Sequence, residues 1–156
     1  MISLNGELGH SAGSAQETWL KSDLAAHANK CTLAYWHEPR FSSGSEHGSD
    51  SSFDPFWRDL YAANAEIVLN GHDHEYERFA PQNPSGVADA IGIREWVVGT
   101  GGASHYTFGL PIANSEVRDN TTFGVLRLTL HPASYDWQFV PVAGGTFTDA
   151  GSTSCH

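Results

Sequence analysis

Two short, nearly unbroken apolar runs constrain this chain more than anything else in it. "CTLAYW" (31–36) and "EIVLN" (66–70) carry apolar residues at successive positions rather than alternating ones. A strand of that kind is buried on both faces, as inside a parallel sheet covered by helices. Parallel neighbours need a crossover, and helix-patterned segments precede both runs. "SAQETWLKSDLAAHANK" (14–30) opens with a Ser-x-x-Glu capping box at Ser14 and Glu17, and Trp19, Leu20, Leu24 and Ala28 fall on one helical stripe. "FDPFWRDLYAANA" (53–65) offers Asp54 as a cap and Pro55 at the first helical position, with Phe56, Trp57, Leu60 and Tyr61 on its apolar face. With "ISLN" (2–5) as a first strand, the order is β-α-β-α-β, so the fold class is α/β with right-handed crossovers.

Beyond residue 80 the grammar changes. "IREWVVG" (93–99), "FGVLRLTLH" (123–131) and "SYDWQFVPV" (134–142) read as strands, the last two as an antiparallel hairpin about "HPAS". Residues 100–121, rich in Gly, Asn and Ser, read as loop. The reading is one domain over 1–143 and a tail over 144–156. The 156 residues suffice for one core. A net charge of −10 argues against nucleic acid and anionic membrane as partners, and no apolar run is long enough to cross a bilayer. The opening "MISLNGELG" has neither the basic stretch nor the long apolar run of a signal peptide. Cys31 and Cys155 are either a buried thiol and a loose one or a disulfide tying tail to body.

Three of the nine histidines stand apart. His37, His72 and His74 each follow the C-terminal end of an expected parallel strand, the edge where open α/β sheets bind ligands. Gly71 frees the backbone to turn out of its strand. If 72–74 is extended, His72 and His74 point the same way and Asp73 points away, serving as acceptor for a histidine N–H. His47 lies in a 16-residue polar stretch, "HEPRFSSGSEHGSDSS" (37–52), either as an exposed loop residue or as a proton donor to a leaving oxygen. Arg78 is either an anion contact or, preferably, an ion pair locking its loop. Backbone N–H groups of the Gly cluster after 97–99 could cradle an anion. His10, His105 and His156 read as solvated loop residues, and His27 and His131 as bland surface ones.

The run Asn70-Gly71-His72-Asp73-His74-Glu75-Tyr76-Glu77-Arg78 resembles the Gly-His-x-His-x-Tyr-x-Arg motif of calcineurin-like metallophosphoesterases, in their purple acid phosphatase-like branch. "AYWHEPRFSSGSEHGSD" resembles the segment bearing that family's upstream metal-binding histidine and a substrate-facing histidine. "GSAQETWLKSDLAAH", Val97–Gly102 and Tyr135–Phe139 match further segments. The resemblance implies metal-dependent hydrolysis of a small phosphate ester, with zinc, manganese or iron ions neutralising charge on the phosphoryl group. By position, His37 and His72 would bind one ion and His74 another. His47 would contact substrate or protonate the leaving group, with Asp73 and Arg78 behind the ligands or facing substrate. The family's other ligands, including a bridging Asp, lie upstream of its segment corresponding to Met1. The resemblance is therefore to the C-terminal half of the catalytic domain. It implies completion by an N-terminal half or by a second copy in a homodimer; the alternative is a non-catalytic metal-binding or remnant half-domain. Exported relatives imply a secreted or periplasmic location.

Overall fold

The computed structural model describes residues 1–156. Its first sheet has six strands. β1 (Ile2–Ser3), β2 (Leu33–Tyr35), β3 (Ile67–Asn70) and β5 (Arg94–Val98) run parallel, in that spatial order. β4 (Tyr76–Phe79) and β6 (Ser115–Asp119) complete the sheet; β4 lies antiparallel between β5 and β6. The second sheet is an antiparallel meander of β7 (Gly124–Leu130), β8 (Ser134–Pro141) and β9 (Ala150–Ser154). Two helices, α1 (Ala15–Ala26) and α2 (Asp54–Ala62), supply the crossovers. None is long and apolar enough to cross a membrane.

The six-stranded sheet is the middle of three layers, because its apolar residues alternate between two cores. Ala34, Val68, Ile93 and Val97 face the helices and meet Leu20, Phe56, Trp57 and Leu60. Leu33, Ile67, Tyr76 and Trp96 face the second sheet and meet Tyr135, Trp137 and Phe139. Most of these side chains are fully buried, and each stabilises the fold by roughly 1.5–3 kcal/mol. The expected α/β half-sandwich, a parallel unit followed by antiparallel strands, is the observed architecture.

The details correct the sequence reading in four places. Ser14 does cap α1 by accepting from the Glu17 N–H at 3.2 Å, but the Glu17 carboxylate reaches back to Gly13 N instead of closing the box on Ser14. Trp19 is 49% exposed, so the buried stripe of α1 is narrower than the sequence indicated. Asp54 is no cap. A 3-10 turn, Ser51–Phe53, precedes α2 and is capped by Asp50, which accepts from Ser52 N at 2.8 Å; Asp54 sits in the first helical turn and pairs with Arg58. β4 and β6 fall in segments read as loop.

The boundary at 143/144 is not structural. β9 pairs with β8 along its length, and Cys155 is disulfide-bonded to Cys31, 124 positions away, with a Cα–Cα distance of 5.5 Å. A crosslink closing a loop of that size should stabilise by about 5 kcal/mol on the chain-entropy account. Reduction, or a Cys31→Ser/Cys155→Ser double variant, should therefore lower stability by several kcal/mol in urea unfolding at constant pH. A reduced midpoint equal to the oxidised one would contradict this.

Candidate functional site

The site begins where β2 and β3 end. Asn70 Nδ2 donates to the carbonyls of Trp36 and Glu38 at 3.2 and 3.1 Å, and Gly71 N donates to His37 O at 2.9 Å. These bonds stitch the exit of β3 to the exit of β2. The result places His72 Nδ1 3.1 Å from His37 Nε2, the rings crossing at 75°. The His47 ring lies on His72 with centroids 4.0 Å apart. Burial pushes the His72 pKa below the ordinary imidazole value, and the neighbouring His47 and His37 push it the same way against Glu38 and Asp73.

His74 is elsewhere. The 71–75 segment is not extended: His72 has φ +64°, and Asp73 N and Glu75 N close short turns onto Gly71 O and Asp73 O. The extended backbone on which the expectation for His72 and His74 rested is therefore absent. His74 turns to the loop after β5, where its Nδ1 donates to Ser104 O at 2.9 Å and its ring stacks on Tyr106 at 4.0 Å. A carbonyl can only accept, so the neutral ring carries its proton on Nδ1 and leaves the Nε2 lone pair free. No three His, Cys, Asp or Glu side chains gather in an arrangement that would hold an ion. A concavity of about 480 Å³ between α1 and α2, at Leu24, Asp59 and Ala62, is lined by none of His37, His47, His72 and His74. It is a groove between helix ends, so side-chain chemistry rather than cavity size locates the site.

The loop carrying His47 is held from beneath by buried carboxylates. Asp73 accepts from Ser42 Oγ at 2.5 Å, Gly48 N at 3.1 Å and His47 N at 3.3 Å. It therefore orients the His47 backbone and does not accept from a histidine ring, contrary to its expected role. A side chain on Gly44 would run into the Asp73 carboxyl, 2.4 Å from its Cγ. Glu77 accepts from Ser43 N and Ser43 Oγ, and Glu95 from Arg40 N and Phe41 N. Between Asp73 and Glu77, burial and those two acids push Glu75 up to about 8. Sequence reasoning missed this row; its signal was the acids at 73, 75 and 77, which continue the period-two pattern into β4.

Arg78 lies on the opposite face of β4. It pairs with Asp149 at 2.7 Å and with Glu116, and its guanidinium lies 5.3 Å from the Trp137 ring centroid. The ion-pair alternative holds, and Arg78 has no place at the histidines. His105, read as solvated, is half-buried, stacked on Phe123, with Nδ1 3.2 Å from His74 O.

Comparison with known proteins bears on this arrangement. No family model matches the chain. Two purple acid phosphatases of Arabidopsis thaliana, numbers 15 and 18, are each 33% identical to it, over 82 and 94 residues, covering 49% and 57% of the chain. Over about half its length the chain is thus similar in sequence to purple acid phosphatases. Those matches cover 15% and 21% of the relatives, so the chain spans about a fifth of their length or less. In fold it is similar to the purple acid phosphatase PPD1 from yellow lupin (Lupinus luteus) seeds, with a TM-score of 0.87, 20% identity, and 98% of this chain on 30% of that one. GAP50, the anchor in the inner membrane complex of Plasmodium, aligns with a TM-score of 0.75 and 18% identity over 90% of this chain and 42% of that one.

The clamp beneath the His47 loop is directly testable. Asp73→Ala would leave Ser42 Oγ and two N–H groups without their acceptor, costing at least about 3 kcal/mol. Hydrogen exchange at the His47 and Gly48 amides should accelerate by more than tenfold; unchanged protection there would contradict the assignment.

Proposed function

We propose that this purple acid phosphatase-like chain takes part in metal-dependent hydrolysis of phosphoric esters. One observation carries the reading: ring nitrogens of His37 and His72, from two strand tips, lie 3.1 Å apart. Nitrogen ligands sit about 2.0–2.1 Å from zinc, so two on one ion are separated by roughly 3 Å. His37 Nε2 and His72 Nδ1 therefore suit one edge of a coordination shell. His74, with its proton fixed on Nδ1, offers Nε2 to a second ion. Zinc, manganese and iron all accept such imidazoles, and an ion held there would supply Lewis acidity towards a phosphoryl group.

The chain's own residues divide the remaining work. His47 is exposed, rests on His72, and has its backbone fixed by Asp73, so its ring can hydrogen-bond a phosphoryl oxygen or give a proton to the leaving oxygen. His72, held below the ordinary imidazole pKa, stays an unprotonated donor to lower pH than a free histidine would. No carboxylate joins the imidazoles, and no third donor completes the His37–His72 edge within one chain. In this reading the remaining ligands come from outside residues 1–156, either from another copy in a two-fold homodimer or from a complementing N-terminal half.

That same incompleteness favours a second reading, a non-catalytic metal-binding or remnant half-domain. Hydrolysis of chromogenic phosphate mono-, di- and triesters, with and without zinc or manganese, separates the two. Metal-stimulated turnover that falls at least roughly tenfold in both His72→Ala and His74→Ala is the expected result, since even partners behind ligands cost 10–100-fold. Equal rates for parent and variants would overturn the catalytic reading.

A further inference from the structure

Three consecutive residues of the loop after β5, Ser104, His105 and Tyr106, all converge on His74. Ser104 O takes the His74 Nδ1 proton at 2.9 Å. His105 Nδ1 and Tyr106 N both lie against His74 O, at 3.2 and 3.1 Å. The Tyr106 ring covers the imidazole almost parallel to it, at 13° and 4.0 Å between centroids, and stands 5.6 Å from His47. The loop is itself anchored: Asn120 Nδ2 donates to Tyr106 O at 2.8 Å, and His105 is stacked on Phe123 at 4.1 Å. Stacking of this kind stops the imidazole rotating about its Cβ–Cγ bond, and rotation is what would break the Ser104 bond and release the other tautomer.

We infer that Tyr106 is a positioning residue for His74, its ring face holding the imidazole against Ser104 so that Nε2 is the nitrogen presented to an ion. The metal half of this statement rests on the function proposed above; the ring-locking half does not. The role belongs to the flat face of Tyr106. Its hydroxyl has no part in it, which separates positioning from ligation or acid catalysis by the phenol. Tyr106 is half-buried, so truncation should leave both cores intact.

The test reads His74 first without metal. Nitrogen-15 spectra of the side chain at about pH 8, above the ordinary imidazole range, report the tautomer. The parent and Tyr106→Phe should both show the Nδ1–H form alone, whereas Tyr106→Ala should show a mixture. Tyr106→Leu, which keeps most of the bulk and loses the flat face, should behave like Tyr106→Ala and guards against a folding defect. Zinc titration by calorimetry should then give affinity about tenfold weaker in the Ala and Leu variants and unchanged in Tyr106→Phe. A single tautomer and parental affinity in Tyr106→Ala would overturn the inference. So would a Tyr106→Phe loss as large as that of Tyr106→Ala. A tautomer mixture in Tyr106→Ala alongside a parent that binds no zinc would sustain the ring-locking role and remove the metal reading alone.

Discussion

The site depends on carboxylates buried where a protein core is usually apolar. Asp73, Glu77 and Glu95 aim their oxygens at backbone N–H groups of residues 40–48 and at the hydroxyls of Ser42 and Ser43. A polar loop of that length has no apolar stripe with which to dock. It is fixed by satisfying its orphaned donors with carboxyl oxygens, and burial pushes the Glu95 carboxyl well above the usual carboxylate range. His47 lies within the clamped stretch and His37 three residues before it. Without the acids, the loop that lays the His47 ring on His72 would lose its anchor.

Burying several acids side by side is costly unless each is satisfied or neutralised. The arrangement does both. Asp73 and Glu77 face rows of donors, while Glu75, between them, is pushed up to about 8 and so keeps its proton at neutral pH. The other face of β4 solves the same problem differently, with Arg78 and Tyr76 sharing Asp149 beneath the second sheet. One four-residue strand thus joins the polar floor of the site to the aromatic core between the sheets.

The parallel strands and both helices were legible because their burial is local and periodic: "EIVLN" and "FDPFWRDLYAANA" need no knowledge of what covers them. β4 and β6 were not legible. "YERF" and "SEVRD" read as polar loop because the partners that make them buriable, Ser43 and Asp149 among them, are distant in sequence. β9 was hidden likewise, its place set by β8 and by Cys31. At the site, strand-tip position alone brought out His37 and His72. The contacts of His74 with Ser104 and Tyr106 were not legible either, since they follow a left-handed backbone at His72, a conformation a non-glycine residue seldom adopts and no local pattern announced. Tyr106 gave no signal, since only the folded β5–β6 connection brings it to His74.

The account stands or falls on whether His37 and His72 share a cation. Crystals grown with zinc, measured on either side of the zinc absorption edge, address this with no assumption about activity. An anomalous peak within about 2.0–2.1 Å of both His37 Nε2 and His72 Nδ1 is the expected outcome. Zinc bound only at surface histidines such as His27 or His131, with the His37–His72 contact left as a plain hydrogen bond, would contradict it.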